Sequence, residues 1–182
     1  TANRTIESFY KWSGGGRIPI FCDTTSCTHT LLFETGGDIL TPENREKYKQ
    51  LKIMDITQWL KEVVLPRIKV IRPKNRILLH PTCSCQIMGL TPVLLDIARK
   101  CAREVILPDN WGCCGASGDR GFIFPELSDS ATRDERDEIG HESFDGCYSL
   151  ARTCEIAMQD HIEQPYESIV YLVDETIQDQ GT

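Results

Sequence analysis

The chain has 182 residues and a formal net charge of −7, with a sequence pI of about 5.1. That length can bury one domain's core or two small ones, and the acidity leaves no polybasic face for nucleic acid or an anionic membrane surface. No apolar run approaches the roughly 18 residues of a membrane-spanning helix, and no signal-peptide layout is present. A start without methionine that enters a helical pattern at once points to a piece of something longer.

In chain order, apolar periodicity predicts a helix over residues 5–13, then a strand in "RIPIFCD" (17–23). The glycine cluster "SGGGR" (13–17) between them reads as a helix stop rather than a phosphate cradle. A helix over 55–68 follows, with Asp55 placed to cap it, and then a strand in "RILLHPT" (76–82). "TPVLLDIARKCARE" (91–104) predicts a helix with Thr91 as N-cap and Pro92 at its first position, ahead of a strand in "EVILPD" (104–109). A charged helix over 128–139, with the run "ATRDERDEIGHE" (131–142) read as mostly a solvated face, and a weaker strand at 147–151 come next; "CEIAMQDHI" and "YESIVYLVDETI" close the chain as helices. Short β-branched strands alternating with helices imply an α/β fold, a short parallel sheet with helices on both faces. Sites in such sheets form at the carboxyl ends of the strands. "CDTTSCTHTLLF" (22–33) and "YSLARTCEIAM" (148–158) also echo one another, each with an amphipathic segment after it. The echo suggests a pseudo-repeat, with 1–70 as the end of a first unit plus a connecting helix and 71–182 as a complete second unit.

Nine cysteines, an odd number in a chain with an ample aliphatic core, argue for a reducing compartment and free thiols rather than a secreted disulfide scaffold. Cys101 lies on the helical row Leu94, Ile97, Ala98, Cys101, and reads as core. Cys22 and Cys147 fall within short apolar strands and read the same way. The other six sit in loops or at helix starts. Cys27 and Cys154 follow Ser or Thr at helix N-termini, where the macrodipole favours the metal-binding thiolate. Cys83 and Cys85 occupy "HPTCSC", and Cys113 and Cys114 lie between Gly112 and Gly115, whose freedom could turn both thiols toward one place. A disulfide between adjacent cysteines is strained, because bridges want Cα atoms ~4.4–6.8 Å apart. A structural zinc typically uses CxxC knuckles, and none occurs here. A multi-iron cluster can take adjacent cysteines together with others from separate loops. An iron–sulfur cluster, a zinc ion and a cofactor-free thiol set all remain open on spacing alone.

"HPTCSCQIMGL" (80–90), "GCCGASGDRGFIFPELSDSAT" (112–132) and "SLARTCEIAM" (149–158) resemble the C-terminal cysteine-rich, CCG-type region of FAD-linked D-lactate and related D-2-hydroxyacid dehydrogenases. The same stretches are similar to the cysteine-rich domains of glycolate oxidase iron–sulfur subunits and of the heterodisulfide reductase B subunit. The likeness runs over nearly the whole chain. It implies a CCG domain within an oxidoreductase: an electron-transfer part not catalytic by itself, carrying an iron–sulfur cluster, [4Fe–4S] in kind. FAD would lie in an N-terminal module outside this chain, and a quinone or other acceptor would take the electrons. The implied setting is cytoplasmic, free or peripheral at the inner face of the membrane.

Motif by motif, the resemblance gives Cys83, Cys113, Cys114 and Cys154 the ligand places and matches Cys27 to the closing cysteine of a preceding repeat. Cys85 is an extra thiol beside an expected ligand. Family members often end in CxxC, whereas six residues separate Cys147 from Cys154, which leaves the set one ligand short unless Cys27, Cys85 or a non-protein group completes it. Arg120, after the CC loop, is expected to offset the cluster's negative charge. His80 is expected either to serve the cluster as a ligand or donor or to bond the backbone at a strand end. His29, His141 and His161 are scattered and expected to take no part.

Overall fold

The computed structural model describes residues 1–177. Along the chain lie α1 (Ala2–Trp12), β1 (Ile20–Cys22), α2 (Thr25–His29), α3 (Pro42–Gln50), β2 (Ile53–Asp55) and α4 (Ile56–Trp59). They are followed by β3 (Lys74–Leu79), α5 (Cys83–Ile87), α6 (Thr91–Cys101), β4 (Ala102–Ile106), α7 (Arg120–Ile123) and α8 (Pro125–Ile139). Then come β5 (Gly146–Ser149), α9 (Arg152–Ile162), β6 (Tyr166–Ser168) and α10 (Ile169–Ile177). The α/β class with parallel pairing and helices on both faces holds. The strands, however, form two sheets rather than one: β1 pairs with β2, and the other four run in the order β4-β3-β5-β6, all parallel.

Side-chain alternation builds the four-stranded layer. Ile77 and Leu79 face one way and Leu78 the other, as the two-residue period of a strand requires. On one face they join Leu94 and Ile97 of α6, Ile169 and Leu172 of α10, and Ile56 and Leu60. On the opposite face, Leu78 and Cys147 pack with Ile139 of α8 and Ala157 and Met158 of α9. Because Ile56, Leu60 and Leu65 sit in the first of these clusters, the segment before residue 70 shares a core with the segment after it.

Several elements depart from expectation for local reasons. Asp55 caps α4 as predicted, its Oδ1 accepting from the Thr57 amide at 2.9 Å, with Gln58 closing a capping box. The helix continues beyond Trp59 as a π turn (Leu60–Val64) and a 3-10 turn (Leu65–Arg67). Thr91 is not an N-cap: α6 already includes it, Leu90 takes the cap position, and the Thr91 hydroxyl faces Cys85 Sγ at 3.9 Å. The same helix stops at Cys101, because Ala102 is already extended and pairs with Lys74. Tyr166–Ser168, expected as helix, pairs instead with Cys147–Ser149. Strand β2 and helix α3 have no counterpart among the expected elements.

Candidate thiol site

The sheet order creates a switch point. From β3 the chain crosses to β4 on one side, and from β5 it crosses to β6 on the other. The carboxyl ends of β3 and β5 therefore open a crevice between them, the usual place for a site in such a sheet.

Three loops bring cysteines to this edge. After β3, Thr82 caps α5 by accepting from the Cys85 amide at 3.2 Å, which sets Cys83 at the first helical position with its side chain exposed. After β4, the loop is pinned to α8: the Asp109 and Asn110 amides donate to the Glu138 carboxylate at 2.7 and 2.8 Å. These bonds hold the Glu138 carboxyl below the usual range. The loop then turns at Gly115, whose φ is +73° and whose backbone lies so close to α8 that an added Cβ would sit 2.6 Å from the Leu127 carbonyl oxygen. Gly112 has no such constraint, so the turn depends on the second glycine. The turn leaves Cys113 exposed and sends Cys114 inward. After β5, Cys154 lies in the first turn of α9, also buried.

The four sulfurs form a row. Cys83 lies near Cys113 and Cys113 near Cys114, close enough for each to shift the other's titration, and Cys114 Sγ donates to Cys154 Sγ at 3.0 Å. All four are free thiols. Burial, with the nearby Cys113 charge adding to it, raises the Cys83 pKa. The bond to Cys114, together with burial, raises that of Cys113. At Cys114 the bond from Cys113 pulls the pKa down, but the bond to Cys154 and burial prevail and carry it to about 12. Cys83, Cys113 and Cys114 therefore stay protonated near pH 7; Cys83 and Cys113 face solvent while Cys114 and Cys154 belong to the core.

Among the described residues, no group of three or more His, Cys, Asp or Glu is disposed to hold a metal ion. The row's geometry gives the reason. Sulfurs around a tetrahedral zinc, each ~2.3 Å from the ion, would stand about 3.8 Å from one another, and the 3.0 Å contact between Cys114 and Cys154 is tighter than that. In donor kind and number the four thiols suit an iron–sulfur cluster; in spacing Cys114 and Cys154 touch one another rather than standing apart around a centre.

The remaining sequence candidates lie elsewhere. Cys27 is exposed, and its sulfur neighbour is Cys22; burial, then the Cys22 charge, raises its pKa. Its helix packs against α5, and the Thr25 amide donates to the Leu150 carbonyl at 3.3 Å. Cys85 points into the core, where burial pushes its pKa to about 12. Cys101 and Cys147 are buried, as read. Arg120 is exposed at the start of α7 and makes no ion pair among the described residues.

His80 is fully buried. Its Nδ1 lies 2.9 Å from Glu135 Oε2, and its backbone carbonyl accepts from the Ser149 hydroxyl at 2.8 Å. Glu135 escapes a sequence reading in which 131–142 is a solvated face, whereas Ser128, Thr132, Glu135 and Ile139 form one buried stripe of α8. That stripe has helical spacing and is visible in principle; its polar identities hide it. His80 Nε2 and the Tyr166 hydroxyl, on rings packed edge to face at 6.4 Å, are both buried with no hydrogen-bond partner among the described residues.

Among known proteins, no family model matches the chain and no curated protein matches it.

Proposed function

We propose that this chain is an iron–sulfur electron-transfer domain of the kind found in FAD-linked D-2-hydroxyacid dehydrogenases, passing electrons from a flavin module toward a quinone or another acceptor. One observation carries the reading: four thiols from three separate loops meet in a single row at the switch point of the parallel sheet. A cluster, when bound, supplies one-electron chemistry at a potential tuned by charge, hydrogen bonds and exposure. The chain's own part is to present the ligands and control access to them. Thr82 and the first turn of α5 fix Cys83, Gly115 fixes the CC turn, and α9 carries Cys154. Cys83, Cys113, Cys114 and Cys154 would hold the cluster as thiolates, which would require Cys114 and Cys154 to separate from their 3.0 Å contact. Arg120, exposed at the start of α7 just after the CC loop, is the basic residue that would offset the negative charge of a bound cluster. Glu135 fixes the His80 ring behind the site through Nδ1.

Anaerobic purification followed by iron and sulfide quantitation tests this. The expected preparation is brown, contains iron and sulfide in equal amounts, and bleaches with dithionite. Cys113→Ser and Cys114→Ser should each lose most of the iron, while Cys101→Ser, in the core, keeps it. Equal iron in all three variants would remove the ligand assignment. A colourless protein after anaerobic reconstitution would remove the cluster itself, and one zinc with no iron would favour a zinc-stabilised interaction domain.

A further inference from the structure

A second site is a cleft of about 650 Å³ that none of the cysteines lines, bordered by Arg152 and Glu155 on either side of Cys154 in the first turn of α9. Four strands end on it: Asp23 follows β1, Ile56 follows β2, Ala151 lies just past β5, and Ser168 ends β6. The cleft thus sits where the carboxyl ends of both parallel sheets face each other, the position at which open α/β sheets take their ligands.

Its lining has two components. One is aromatic. Phe21 and Trp59 stack with ring centroids 4.7 Å apart and planes 14° from parallel, and Phe21 remains 48% exposed. Tyr171, on α10, is 57% exposed and contributes a third ring from the other sheet's side. Phe21 and Tyr171 leave about half their surface to solvent at the cleft, although aromatic side chains of this size are usually more buried. The other component is acidic. Asp23, Glu155 and Glu167 line the cleft, against Arg152 as the basic residue of its lining. Arg152 is already held by Glu155 at 3.1 Å. Asp23 meets the Thr24 hydroxyl at 3.4 Å, and neither Asp23 nor Glu167 has a basic partner among the described residues.

We propose that this cleft binds a flat aromatic cation, its ring laid against the Phe21–Trp59 stack and Tyr171 and its positive charge set between Asp23 and Glu167. Aromatic faces attract cations through the ring quadrupole, and two carboxylates without basic partners add a field that repels anions. A neutral ring would gain the stacking alone.

Three probes with the same ring separate these contributions: 1-methylnicotinamide as the cation, nicotinamide as the neutral ring, and nicotinate as the anion. They are titrated calorimetrically into the full chain at pH 7. The cation should bind saturably and about tenfold or more tighter than nicotinate, with nicotinamide between them. Glu167→Gln and Asp23→Asn alter exposed side chains and should each weaken the cation about three- to tenfold while leaving nicotinamide within about twofold. Tyr171→Leu should weaken the cation and the neutral ring together. Equal binding of the three probes, preference for nicotinate, no saturable heat with the cation, or a cation affinity untouched by Glu167→Gln and Asp23→Asn would each overturn the assignment. The readout does not involve iron, so it stands or falls separately from the thiol row.

Discussion

Cys85 and Cys147 are thiols that the fold keeps from water on opposite sides of the sheet, one in each buried cluster. Burial pushes each to about 12, above the ordinary thiol value of about 8.5. The consequence for stability has a definite sign. Above the ordinary pKa the unfolded chain releases these protons while the folded chain retains them, so unfolding gains from every further rise in pH. Their contribution is complete below about pH 8.5 and is lost progressively toward about pH 12. Urea unfolding of the metal-free protein should give a stability that falls between about pH 8 and pH 10, and Cys85→Ala or Cys147→Ala should flatten that fall. A pH-independent midpoint across this range would contradict the burial of both groups. Among single residues, cysteines on strands and helix faces are legible in the sequence because thiols pack as small hydrophobes. Glu135 is not, because a lone carboxylate within a charged run gives no sign that a histidine 55 residues away will bury it.

At the scale of the element, the turn after β4 decides where two of the four thiols go. Gly115 combines a left-handed backbone with direct contact against α8, where an added Cβ would fall 2.7 Å from Ser128 Cα. Gly115→Ala should therefore displace the loop and cost about 1–3 kcal/mol, whereas Gly112→Ala, with open space around it, should cost less than about 1 kcal/mol. Chemical denaturation of the two variants distinguishes them, and equal losses would mean that the turn is not anchored at Gly115. The strand ends that bear the cysteines and the Asp55 cap are legible in the sequence, since each has a short-range signature. Strands β2 and β6, three residues each, are not. Strands that short have no readable period, and their extended form comes from parallel neighbours distant in the chain. The division of the strands into two sheets is likewise a matter of pairing, to which local patterns are blind.

Across the whole molecule, the two sheets are unequal. β1 and β2 pair only with each other over three residues, and a two-stranded sheet is marginal without support. β3 and β5 are each flanked on both sides and covered on both faces. Native-state hydrogen exchange should find the β1–β2 amides exchanging roughly 100-fold or more faster than those of β3 and β5, as the part that opens first. Matching rates would mean that the chain opens as a single unit. The partition of the thiol row has a further consequence for traffic. Cys83 and Cys113 look outward, while Cys114 and Cys154 are backed by the core, so the row has one doorway. An alkylating reagent should therefore label Cys83 and Cys113 in the native protein well before Cys114 and Cys154.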